Sequence, residues 1–291
     1  LIMTSITPFG QSGPYKDYKS SDLVAWATGG LQYICGEPTL PPVRCNADVA
    51  YCQTGVQAAV ATIIAHNYRQ LTGEGQHIDV SMQECVTCVL WQTQQWWDFN
   101  KEIVTRLGKY LKRGAIHRQN NFRCKDGYVS WQLHTAQVGR RTRALVEWMI
   151  EEGKASEELK ATRWEEIDYN AITPEQSAAW EAEFEHFFLT HTKAELAAES
   201  VKRSIMIFPC NTTEEVRQDK QLAARDFWVE VEHPELKTSI VYPGALAKLN
   251  EANWQMYRRA PLIGEHNEEV YEGELSFTKD ELVLLKQWNV I

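Results

Sequence analysis

The chain has 291 residues, 44% hydrophobic and 24% charged, enough to bury a sizeable core in one large or two medium domains. No window reaches the roughly 18 uninterrupted apolar residues of a membrane span, and no signal peptide is visible, so a cytoplasmic location is expected. A formal net charge of −9 argues against broad nucleic-acid binding.

In chain order, "LIMTSIT" reads as a strand from its first residue, carried by the β-branched Ile2, Thr4, Ile6 and Thr7. A buried strand is a poor chain terminus, and a segment upstream of it is expected. "PFGQSGPYKDYKSSD" follows, a loop enforced by Pro8, Gly10, Gly13 and Pro14. Its glycines could cradle a phosphate, but their spacing matches neither a P-loop nor a dinucleotide fingerprint, and a structural turn is the simpler reading. "LVAWATGGLQYICG" is a short helix stopped at Gly29-Gly30, and the Pro-rich "EPTLPPVR" leads on.

From about Val49 to Leu71 the pattern is helical: Val49, Cys52, Val56, Val60, Ile63 and Ile64 form one stripe at three- and four-residue steps. No acid or base falls between Asp48 and Arg69, so most faces of this helix are expected to be buried. Asp48 is most simply its N-cap, accepting from the first free backbone N–H groups; a nucleophilic or acid–base role is the alternative. Tyr51, one turn in, would ordinarily pack. After the glycine turn of "TGEGQHIDVSM", the alternation of Ile78, Val80 and Met82 marks a second strand. Strand, helix and strand in this order point to an α/β layer.

Seven cysteines at irregular spacing make no disulfide framework. Cys85 and Cys88 form one CxxC without a second pair or histidines at ligand spacing. Buried thiols on a helix are therefore expected, and no metal. Trp91, Trp96 and Trp97 read as core or interface, or as the wall of an aromatic or acyl site. Residues 101–125 hold eight Lys/Arg against one acid, and residues 151–199 hold thirteen acids against four bases. Both read as solvated faces, the basic run alternatively as an anchor for a phosphorylated ligand or acidic partner. His66, His77 and His117 have no neighbours that mark them as catalytic.

"FRCKDGYVSWQL" reads as a hairpin turning at Lys125-Asp126-Gly127. Helix starts follow at "TPEQ", with Thr173 as cap and Pro174 first, and at "TKAE", a capping box of Thr192 and Glu195. Residues 206–260 show little periodicity and read as an extended connection. "TKDELVLLKQWNVI" opens with a capping box, Thr278 to Glu281, and is a closing amphipathic helix.

Four segments carry a resemblance. "SITPFGQSGPY", "TGEGQHIDVSMQE", "FRCKDGYV" and "RRAPLIGEHNEEVY" (Arg258 to Tyr271) resemble, in order, motifs of the family III CoA-transferases, also called the CaiB/BaiF family. The resemblance implies an α/β fold: a Rossmann-like large domain, lacking its amino-terminal part here, plus a smaller α+β domain, in an interlaced dimer. The matching divisions are 1–119 for a large-domain portion, 120–205 for the small domain, 206–255 for a linker and 256–291 for a return to the large domain. It also implies coenzyme A, as acyl-CoA substrate, with Lys19, Gly10, Gly13 and Met82 as carried-over contacts.

In such proteins an aspartate attacks an acyl-CoA thioester and carries the acyl group as an anhydride. The motif reads Pro-Pro-x-Arg, six residues, Asp, three residues, Gly. Here that frame is Pro41-Pro42-Val43-Arg44, then Tyr51, then Gly55, and the distance to Gly73 fits without a gap. Tyr51 thus stands at the nucleophile position, with a pKa near ~10 and an ester far less reactive than an anhydride. Asp48 lies three residues early, roughly 4.5 Å along a helix. Racemases of the same superfamily use a histidine where this chain has Ser21, so both of their acid–base groups are missing. The resemblance implies a non-catalytic subunit paired with a homologous Asp-bearing chain, as in benzylsuccinate-type CoA-transferases. The alternatives are an active enzyme, alone or as a homodimer, using Asp48, and a catalytically silent CoA-binding or structural homologue.

Overall fold

The computed structural model describes residues 1–113, 116–251 and 258–291. The expected boundary at 255–256 and the side chain of Arg113 lie outside the described residues. The chain divides into two compact units, Leu1–Cys210 and Asn211–Ile291.

In the first unit, β1 (Met3–Thr7) and β2 (His77–Ser81) pair in parallel, with Met3 opposite His77 and Thr7 opposite Ser81. A parallel pair needs a crossover, supplied by α1 (Asp22–Thr28) and the 24-residue α2 (Val49–Thr72). α2 ends at Gly73, whose φ of 80° is the left-handed value that a helix stop demands. Its packing face is not the expected one. Ala50, Thr54, Ala58 and Ala65 are buried, and Thr62 bonds Thr4 of β1 at 2.6 Å. Small side chains at four-residue steps let the helix lie close to the strands. The larger Val49, Cys52, Val56, Val60, Ile63 and Ile64 are exposed, which corrects the expectation that most faces of α2 are buried. Hydrophobic periodicity favours large residues, but close approach to a sheet selects small ones.

Ser81 caps α3 (Met82–Val89) by accepting from the Glu84 N–H, and α4 (Trp91–Asn100) continues the chain. One core cluster joins Ala25, Trp26, Ala50, Met82 and Val86; another joins Ala58, Val80 and Cys85. Cys85 is buried but Cys88 is exposed, so only one thiol of the pair matches the buried reading; three residues on, the second falls off the packed face. Trp91 and Trp97 are exposed as well.

β3 (Tyr110–Arg113) and β4 (Ile116–Gln119) form an antiparallel hairpin inside the basic run, where only a charged face was expected. Arg118 is buried there, its guanidinium 3.2 Å from the centre of the Tyr169 ring. That residue is core, not solvated face. β5 (Asn121–Cys124) and β6 (Gly127–Ser130) turn through Lys125-Asp126 and pair with β7 (Phe208–Pro209). Four helices contribute to the core beside this sheet, of which α7 (Pro174–Phe188) and α8 (Lys193–Arg203) pack on its strands and α5 (Arg140–Glu151) and α6 (Glu157–Ala161) complete the cluster. Thr173 caps α7 with Pro174 in its first turn, and Thr192 and Glu195 form the full box on α8. The enclosed core is aromatic, with Trp131, Trp164, Trp180, Phe184 and Phe188 in edge-to-face and tilted contacts. Glu181 is buried in the same region, accepting from the Gln119 N–H at 3.0 Å and the Ser177 hydroxyl at 3.3 Å. Burial pushes its carboxyl upward from the ordinary range.

The second unit corrects another expectation. Residues 206–260 are not a plain extended connection. They include α9 (Thr213–Arg217), α10 (Lys220–Ala224) and an antiparallel hairpin of β8 (Trp228–His233) and β9 (Thr238–Pro243). The alternation of Val229 and Val231 with Glu230 and Glu232 was the available signal. Thr212 and Glu215 form a further capping box. Beyond residue 258, Arg259 bonds Glu235 at 2.7 Å and Glu265 at 2.8 and 2.9 Å. A π-helical turn (Glu268–Glu274) and α11 (Lys279–Gln287), boxed by Thr278 and Glu281, close the chain. Among the described residues no helix is long and apolar enough to cross a membrane.

Candidate active site

Connecting two parallel strands, α2 runs back against their direction, so its first turn lies at their carboxyl ends. At ~1.5 Å per residue α2 is roughly 36 Å long, against about 17 Å for a five-residue strand, and its start overshoots the sheet. That edge is where open α/β sheets take ligands. Four of the expected site residues gather there or nearby. Gly10 follows β1, Met82 follows β2, and Asp48 and Tyr51 open α2; Ala50 and Met82 share one core cluster.

Asp48 makes no side-chain cap, contrary to its simplest sequence reading. Asp22, from the start of α1, does that work across the chain. One carboxylate oxygen accepts from the Ala50 N–H at 2.8 Å and the Tyr51 N–H at 3.2 Å; the other accepts from Arg44 at 3.0 Å. Asp22 is buried, with 4% of its surface exposed. The same Arg44 nitrogen lies 3.6 Å from Asp48 and donates to the Ala47 carbonyl at 3.1 Å. One guanidinium therefore bridges two carboxylates, and the positive end of α2 faces the buried one. Sequence reasoning used Arg44 only as a spacer and passed over Asp22. The available signal was an acid opening an otherwise apolar helix, within "SSDL".

Tyr51 has its backbone held by Asp22 and its side chain half exposed. The site thus presents a phenol on the first turn of α2, a salt-bridged Asp48 on the rim and an engaged Asp22 beneath. A phenol at that place can donate a hydrogen bond or pack against a ligand; it cannot form an anhydride.

The glycine loop is tied down by a carboxylate. The Gln11 N–H donates to Asp79 at 2.8 Å, the Gln83 N–H to the Pro8 carbonyl at 3.1 Å, and Gly10 and Gly13 adopt φ of 85° and 86°. At Gly10 the backbone turn, not crowding, calls for glycine, because a Cβ there would make only ordinary contact with Asp79 at 3.5 Å. Lys19 is exposed further along this loop, whereas Met82 is buried in the core beside Trp26 and Val86. Among the described residues no group of three or more His, Cys, Asp or Glu could hold a metal ion.

Comparisons with known proteins give this geometry a context. The succinyl-CoA:(R)-benzylsuccinate CoA-transferase subunit BbsE of Thauera aromatica is 33% identical over 272 residues, 93% of this chain and 65% of that protein. Succinyl-CoA–D-citramalate CoA-transferase of Chloroflexus aurantiacus is 26% identical over 294 residues, 100% of this chain and 69% of that protein. The chain therefore spans about two thirds of the length of these relatives. A crystal structure of a CAIB/BAIF family protein from Brucella suis superposes with a TM-score of 0.77 at 24% identity, covering 94% of this chain and 68% of that one, which shows the shared fold. The family model described as CoA-transferase family III matches residues 1–267, and the chain belongs to that family.

Proposed function

We propose that this chain is the non-catalytic subunit of a heteromeric CoA-transferase that moves CoA between an acyl-CoA donor and a carboxylic acid acceptor in the cytoplasm. A homologous Asp-bearing chain would supply the nucleophile, and acyl-CoA would be substrate to the assembly. The observation that carries this reading is Tyr51 on the first turn of α2 with both neighbouring carboxylates, Asp22 and Asp48, engaged by Arg44. An acyl-carrying carboxylate must be free to attack a thioester. Asp22 is buried and fully engaged, and Asp48, exposed and 3.6 Å from Arg44, stands three residues before the position at which the family carries its nucleophile.

The test is reconstitution. The chain is assayed alone and with an Asp-bearing homologue, using succinyl-CoA and a carboxylic acid, and the acyl-enzyme is trapped with hydroxylamine. The expected result is no exchange by the chain alone, exchange by the pair, and the adduct on the homologue only. An adduct on Asp48, abolished by Asp48→Asn and retained in Tyr51→Phe, would overturn the proposal.

A further inference from the structure

The Trp-rich helix α4 leaves a cavity that the site at α2 does not use. It opens between the start of α4 and β3, has a volume of about 320 Å³, and its walls include Leu90, Trp91, Trp96, Leu107, Leu111 and Lys112. Most of that lining is hydrocarbon or indole. Lys112 is the one charged group among the described lining residues, and it is already committed. Its ammonium lies 4.9 Å from the centre of the Trp96 ring and pairs with Glu102. The Thr93 hydroxyl bonds the Leu90 carbonyl at 2.8 Å. A phosphate or a second carboxylate entering here would have to displace Glu102 from Lys112. An uncharged ring would displace nothing.

Size narrows the occupant. An apolar cavity of about 150 Å³ is enough to admit benzene, so this one has room for one aromatic ring and a short alkyl arm. It is far too small for the nucleotide and pantetheine arm of CoA. The indoles of Trp91 and Trp96 offer a ring the offset or edge-on contacts that aromatic pairs favour, and the cavity lies at the lower end of the range for small-ligand sites. With Lys112 taken up by Glu102 and the Trp96 ring, the cavity offers its apolar walls to the ring of a ligand and leaves the ligand's carboxyl end outside.

We propose that this cavity binds the aryl group of an arylalkyl carboxylic acid or of its acyl thioester, making α4 and β3 the acyl-recognition wall of the chain. The assignment rests on the reading of the chain as a CoA-transferase subunit for its biological meaning, but binding of the ring does not depend on CoA. 3-Phenylpropanoate and propanoate are titrated against the full chain by calorimetry, without CoA. The aryl acid should bind at least tenfold more tightly. Trp96→Ala should reduce that preference at least tenfold, while Trp97→Ala, outside the cavity lining, should leave it unchanged. Should Trp96→Ala fail to fold, Thr105→Trp provides a second route: Thr105 is exposed at the cavity lining, and the added indole should block the ring at an unchanged melting temperature.

Equal binding of the two acids, or an aryl preference that survives both Trp96→Ala and Thr105→Trp, would overturn the assignment. Loss of ring binding alongside CoA exchange by a reconstituted pair refutes the cavity and leaves the subunit reading standing. Ring binding without exchange in any pairing supports the cavity and removes the subunit reading instead.

Discussion

Two parts of the first unit solve the problem of burying apolar surface differently. Residues 122–207 close their own core: Phe122, Trp131, Phe184 and Phe188 have at most 1% of their surface exposed. The layer of β1, β2 and α2 does not. It packs alanines and threonines inward and leaves Val56 at 53%, Ile63 at 67% and Ile64 at 65% exposure on one helix. Exposed apolar residues gathered on one helix mark a face suited to further packing. The small domain is an ordinary folding unit, whereas the layer carrying the candidate site, in a chain that spans about two thirds of its relatives' length, leaves an apolar helix face that its own elements do not cover.

The sharpest way to break this comparison is to truncate a large side chain in each region. Phe188→Ala removes a ring enclosed by Phe122 and Trp131 and should cost about 3–5 kcal/mol. Ile63→Ala, on the open face of α2, should stay within about 0.5 kcal/mol in the isolated chain. Denaturant midpoints measure both. A loss at Ile63 comparable to that at Phe188 would mean that the α2 face is covered after all. Ile63→Glu extends the test to association: it should spare the fold of the chain and prevent its assembly with an Asp-bearing homologue.

The next effect in size concerns the site itself. Asp22→Ala would leave the Ala50 and Tyr51 N–H groups and Arg44 without their shared acceptor, with Asp22 itself deeply buried. A loss of about 2–3 kcal/mol is expected, measured by urea denaturation. Asp48→Ala removes an exposed carboxylate that caps nothing, and should change stability by less than about 0.5 kcal/mol. If the order were reversed, the start of α2 would be held by its own N-cap residue and not from across the chain.

These contrasts show which features the chain declares locally. The caps at Thr173, Thr192 and Thr278 follow from residues within four positions of one another, and each was legible. The role of Asp22 was not, because its partners lie 28 and 29 residues away and only the tertiary fold joins them. The β3–β4 hairpin was hidden because its charged residues match a solvated run, and the partners that meet the buried Arg118, the Leu133 carbonyl and the Tyr169 ring, lie further along the chain. The packed face of α2 was misread for a related reason: a helix apolar on several sides does not say which side its sheet will take. Tyr51 itself could be located only by resemblance, since nothing local distinguishes it from a packing tyrosine.

The smallest expected effect lies in the second unit and follows pH. Arg259 holds Glu265 by two hydrogen bonds, and the Leu262 N–H adds a third at 2.6 Å, which together lower the Glu265 carboxyl from 4.5 to about 2. A carboxylate with a folded pKa below its unfolded one binds fewer protons when folded, so its contribution is complete above about pH 4.5. It declines as pH falls and is gone below about 2. Glu265 is exposed to solvent, so the contribution is modest and weakens with salt. Melting curves of the wild type and Glu265→Gln between pH 6 and pH 2.5 should start apart and converge on the acid side. A constant gap between them would mean that the glutamine variant loses packing or hydrogen bonds instead of charge, and that the Arg259 cluster is held together by shape and not by ionisation.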